Sequence, residues 1–152
     1  MVANAIEILD AHRVMTIATL RPDGWPQATI VGYANDGLAV YFLVARTSQK
    51  LMNIQFDDRI AIAVGEEPRD GHIQTVYAAA NAVELVDPEQ RARCWQLLRQ
   101  RHPNLADYDM PRPAEAAMIR AECHHVSALD FMTGENSNWP STMEPLPGTS
   151  RL

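Results

Sequence analysis

Positive charge is scarce in this chain. Among 152 residues, thirteen lysines and arginines face nineteen aspartates and glutamates, a formal net charge of −6. No run of basic residues offsets that balance, so nucleic acids and anionic membrane surfaces are repelled on average and neither is an expected partner. Cysteine is nearly missing too. The two present, Cys94 and Cys123, belong to no paired-cysteine motif; they read as reduced, buried small side chains rather than a disulfide framework. Long apolar runs are absent, and no stretch approaches the length that spans a bilayer. The N-terminus also lacks the basic start, apolar core and small-residue cleavage site of a secretory leader, so the expected location is the cytoplasm. There is no internal repeat and no nucleophile-elbow motif, and His12, His72 and His102 have no recognisable serine or cysteine partner. Hydrolysis by a catalytic triad is therefore unsupported, and these three read as surface histidines.

What remains is ordinary globular material, 47% apolar and 21% charged, enough for one domain with a substantial core. We place that domain at residues 1–133 and a polar tail, rich in Ser, Thr, Asn and Pro, at 134–152. Trp139 stands in this tail, where a large indole has little reason to persist. Docking over a ligand and anchoring the tail in an apolar groove are both open for it.

The chain has a single lysine, Lys50, in the segment Arg46-Thr47-Ser48-Gln49-Lys50 between a strand-like and a helix-like run. The first amides of a helix have no intrahelical partner and lie at the positive end of its dipole. Two hydroxyls, a guanidinium and an ammonium beside them make a cup suited to a phosphate. A plain reading stands next to it: Ser48 or Thr47 is an N-cap, with Arg46 and Lys50 solvated.

The patterning predicts a mainly β chain. Asn4 and Glu7 have the spacing of a capping box opening a short helix. Residues 14–20 read as a buried strand, and Arg21-Pro22-Asp23-Gly24-Trp25-Pro26 as a turn. Residues 27–33 alternate, with Gln27, Thr29, Val31 and Tyr33 on one face and Ala28, Ile30 and Gly32 on the other. After the Asn35-Asp36-Gly37 turn comes a strand at 38–44, so the first three strands are expected as a meander. A helix at 48–56 precedes strands at 60–64 and 72–86, the latter bent around 78–80. Asp87-Pro88-Glu89-Gln90 opens a helix reaching Arg101, and residues 118–131 return to strand. Near-neighbour strands with helices outside predict a small antiparallel barrel. Glu122-Cys123-His124-His125 looks like a metal sequence. On a strand, however, Cys123 and His125 share one face and Glu122 and His124 the other, so no metal site is expected.

The stretch 47–60, with its hydroxyl, Lys50, Asn53, and an acidic residue and Arg59 opening the next strand, resembles the pyridoxamine 5′-phosphate oxidase-like family, the FMN-binding split barrels. The two turns upstream agree, and the resemblance covers most of residues 5–131. It implies a small antiparallel split β-barrel with flanking helices, assembled as a homodimer with two FMN molecules at the subunit interface. Carried over by position, Ser48 and Lys50 hold the phosphate, with Arg46 and Thr47 as further donors. Gln27, Ala28, Thr29, Ile30 and Val31 line the flavin, Leu43 and Val44 end the strand beside it, and Gln74 reaches FMN from the fifth strand. For Trp139, the open docking role becomes one over the partner subunit's flavin. Gln49 stands where the vitamin-making oxidases carry a second cation, and their C-terminal Arg and His pattern is not found, so the resemblance extends to the family and not to that reaction. The implied function is an FMN-binding flavoprotein, an oxidoreductase moving electrons or hydride between flavin and a small-molecule substrate, with no side chain assigned as acid or base. The alternatives are a deazaflavin-dependent reductase of the same fold, or a non-enzymatic flavin- or haem-binding module for storage or sensing.

Overall fold

The computed structural model describes residues 2–66 and 71–132. The tail at 134–152, with Trp139, lies outside the described residues. In chain order the elements are α1 (Val2–Ala11), β1 (Val14–Leu20), β2 (Pro26–Gly32), β3 (Ala34–Asp36), β4 (Ala39–Ala45), α2 (Gln49–Phe56), β5 (Arg59–Gly65), β6 (His72–Glu84), α3 (Pro88–Arg101), a 3-10 turn (Pro103–Leu105) and β7 (Ala116–Met132). The seven strands form one sheet in the order β2-β1-β5-β6-β7-β4-β3, antiparallel throughout. The sheet curls until β2 approaches β4 without pairing to it, a split barrel.

Period-two alternation fills the interior. Met15 and Ile17 on β1, Phe42 and Val44 on β4, Ile60 and Ile62 on β5, and Ile119 on β7 are all buried in one cluster. Each such side chain contributes about 1.5 to 3 kcal/mol by leaving water. The β1–β2 hairpin follows the expected turn. Gly24 takes a φ of +88°, its amide donates to Arg21 O at 2.9 Å, and Asp23 Oδ1 accepts from Trp25 N at 3.1 Å.

Three expectations need correction. The opening helix already includes Val2, so Asn4 lies inside it and is not its cap, and the buried face is Ala5, Ile8 and Leu9. The first three strands are not a meander, because the strand at 38–44 is β4, which pairs with β7 from Ala39↔Glu122 to Ala45↔Ala116. Tyr33 causes the break: wholly buried, it donates its hydroxyl to Leu9 O at 2.6 Å, which draws the chain off β2 before the short β3 begins. The third concerns Cys123 to His125. An extra residue in β7 opposite the Tyr77 to Ala79 shift, with His125 at φ +49°, interrupts the alternation. The rings of His124 and His125 consequently touch while Cys123 stays buried.

Candidate functional site around the start of helix α2

Where β4 ends, the chain reverses through Arg46 and Thr47 into Ser48, whose amide donates to Ala45 O at 3.0 Å. Ser48 is extended and caps α2, its Oγ accepting from Leu51 N at 3.2 Å. That bond uses a lone pair and leaves the hydroxyl proton to donate outward. Among the described residues the amides of Gln49 and Lys50 donate to no carbonyl outside the helix, and they have none within it. Lys50 is half-buried, and among the described residues no carboxylate pairs with it. Burial pushes its pKa down, since a desolvated ammonium favours its neutral form. A cation in this state is stabilised by an incoming anion, so the residues present fit a phosphate group.

Arg46 already has partners of its own. Its Nη1 donates to Glu84 Oε1 at 2.6 Å and its Nε to Pro113 O at 2.8 Å, so the guanidinium ties the loop to the end of β6. Thr47 is exposed beside it. Asn53, which the sequence offered only as one letter of a motif, proves central. Wholly buried, it donates from Nδ2 to Thr19 Oγ1 and to Gln27 Oε1, both at 3.0 Å, and accepts from Gln49 Nε2 at 2.8 Å. One amide thus fastens α2 to β1 and β2.

The rest of β2 splits by face. Thr29 and Val31 turn toward the half-buried side with Gln27, while Ala28 and Ile30 face outward. Val31 on β2 and Leu43 on β4 line a cavity of about 250 Å3 with Gly32, Leu98, His102 and Leu105. A Cβ at Gly32 would lie 3.1 Å from His102 Cε1, so glycine is what lets the end of α3 approach β2. His102 Nε2 donates to Tyr33 O at 2.8 Å, which holds the ring at that cavity. Val44 is buried in the core.

Gln74 stands apart. It lies directly opposite Asp130 in the β6–β7 register, whereas Ala45, at the edge of the α2 cup, lies opposite Ala116. Along β7 that separation is fourteen residues (130 minus 116), roughly 45 Å of strand at ~3.3 Å per residue. Gln74 Nε2 donates to Asp130 Oδ2 at 3.2 Å, and His72 Nε2 meets Asp130 Oδ1 at 2.5 Å. These bonds, that from His72 foremost, hold the Asp130 carboxyl below the usual carboxylate range.

Elsewhere, Asn81 Nδ2 donates to Asp58 Oδ1 at 3.1 Å and so presents its Oδ1 to His124 Nε2 at 2.9 Å. Among the described residues no group of three His, Cys, Asp or Glu side chains is placed to hold a metal ion. Burial pushes both thiols, Cys94 and Cys123, up to about 12. Among the described residues no helix is long and apolar enough to cross a membrane.

The sequence profile of the pyridoxamine 5′-phosphate oxidase family matches residues 1–130. No curated protein matches the chain. Several solved structures share its fold. A FAD-binding protein from Mesorhizobium loti is 21% identical at a TM-score of 0.67, the match covering 83% of this chain and 91% of that one. A haem-binding protein from Mycobacterium smegmatis is 21% identical at a TM-score of 0.72, over 84% of this chain but 53% of its own length. HutZ, a haem storage protein from Vibrio cholerae, is 12% identical at a TM-score of 0.68, over 79% of this chain and 88% of that one. At these identities the structures establish the fold.

Proposed function

We propose that this chain, which belongs to the pyridoxamine 5′-phosphate oxidase family, is a homodimeric flavoprotein that binds FMN and exchanges electrons or hydride with a small molecule. The observation that carries this reading is Lys50, a half-buried ammonium with no carboxylate partner among the described residues, set beside two unpaired amides at a helix start. A phosphate dianion there accepts from the amides, from the Ser48 hydroxyl and from the ammonium, and each such bond is charge-assisted. Asn53 keeps Gln27 and α2 in fixed relation, so the cup and the β2 wall are held as one unit. When bound, FMN supplies the redox chemistry; the chain holds its phosphate, orients its ring and restricts water.

The placement of Gln74 supports the dimer. The α2 cup and Gln74 lie toward opposite ends of β7, fourteen residues apart in its register (130 minus 116), a placement that suits Gln74 serving a flavin whose phosphate sits in a second copy. The outward sheet face supplies a surface for that copy. Ile30 is 75% exposed on it, next in register to Thr16 and Ala63, with Tyr77 beyond them.

The experiment is the visible absorbance of the purified protein and chromatography of whatever it releases. FMN, copurified or taken up on addition, supports the reading. Recovered haem, the ligand named for two of the structural neighbours, contradicts it, and a deazaflavin moves the chain to the reductase alternative.

A further inference from the structure

Gln74 is usually interchangeable in its hydrogen-bond sense, because a free primary amide can turn either its oxygen or its NH2 to a ligand. Here that freedom is removed. His72 and Gln74 are two residues apart on β6 and so share a face, and Gln74 is the register partner of Asp130. Asp130, ionised through the neutral range, can only accept. Its Oδ2 therefore takes an N–H from Gln74 Nε2 at 3.2 Å, and its Oδ1 takes the Nε2–H of His72 at 2.5 Å. With its NH2 directed at Asp130, Gln74 has its Oε1 left over, and among the described residues that oxygen accepts no hydrogen bond.

We infer that Asp130 and His72 are positioning residues that fix the amide of Gln74, so that Gln74 offers a ligand only its carbonyl oxygen and selects a ligand edge bearing an N–H. In a flavin-type ring that edge is the imide N–H between the two pyrimidine carbonyls. The inference rests on the flavin reading above and adds the polarity of one contact and the two residues that set it. Neither Asp130 nor His72 touches the ligand. The carboxylate acts through Gln74, and His72 acts through the carboxylate.

The test compares FMN with its N3-methyl derivative, identical except that the imide N–H is replaced by a methyl. Both are titrated into the full-length protein by quenching of flavin fluorescence. In the wild type the methylated ligand should bind at least about tenfold more weakly, the loss of one hydrogen bond and its replacement by an unsatisfied acceptor. Asp130→Asn can present an N–H as well as an oxygen, which frees the Gln74 amide to turn, and the ratio should fall to within about threefold. Gln74→Leu, which has no acceptor, should bring the ratio to the same range. A general loss of folding weakens both ligands together and leaves the ratio unmoved, so the ratio reports positioning alone. A wild-type ratio near one, or an Asp130→Asn ratio equal to the wild type, overturns the inference while leaving the flavin reading intact. If the wild type binds neither ligand, the flavin reading itself has failed and this inference falls with it.

Discussion

Asn53 and the two cysteines show how differently buried polar and buried thiol groups behave in one core. Asn53 satisfies three hydrogen bonds at zero exposure, to Thr19, Gln27 and Gln49. Asn53→Ala strands the Thr19 hydroxyl and the Gln27 amide, and should cost about 1 to 3 kcal/mol. A urea titration reads this as a lower midpoint at unchanged slope. Cys94 and Cys123 are held as neutral thiols, their pKa values raised from 9.0 to about 12 by burial. The sign follows from proton linkage: the folded state keeps a proton that the unfolded chain releases, so their contribution is complete below pH 9 and lost as pH rises toward 12. At pH 8 a chromogenic disulfide reagent should react with neither thiol until denaturant is added. Immediate release of chromophore from the native protein would contradict the burial of both.

At the scale of elements, local signals and the β1–β2 hairpin were legible, while pairings distant in sequence were not. Asp87 and Pro88 opened α3 as expected, with Asp87 Oδ2 accepting from Gln90 N at 3.0 Å. Asp87→Ala should therefore lower stability by about 1 kcal/mol without altering flavin affinity, checked by denaturation and titration of the same variant. Ser48 likewise appeared in the sequence as a helix cap, because a cap depends on three or four consecutive residues. The partner of β4 was not legible. It lies some eighty residues downstream in β7, as in the pairing Val40↔Ala121, and nothing local to 38–44 distinguishes β2 from β7 as its neighbour. The bulge at His125 escaped for a related reason: an extra residue is visible only against the strand opposite, and it undid the face assignment of His124 and His125.

For the whole molecule, the sequence placed Arg46, Ser48 and Lys50 together at the start of α2 but could not show that Arg46 is occupied by Glu84 or that Gln74 lies at the far end of β7. Both facts depend on register across several strands. On the proposed reading, a flavin site that contains both Gln74 and Lys50 joins two chains. Sedimentation should report twice the 17.0 kDa chain mass at micromolar concentration. Ile30→Glu places a charge on the outward sheet face and should shift that mass toward the monomer with loss of flavin, whereas a stable monomer that binds FMN tightly would refute the shared site. The measurement that bears most directly on the flavin assignment is a titration of wild type and Lys50→Met with FMN and with riboflavin, which has the same ring and ribityl chain but no phosphate. Methionine keeps much of the stem's apolar bulk. Loss of the ammonium should weaken FMN about ten- to a hundredfold and leave riboflavin nearly unchanged. Equal losses for both ligands, or no loss for either, would contradict a phosphate held by Lys50 at the start of α2.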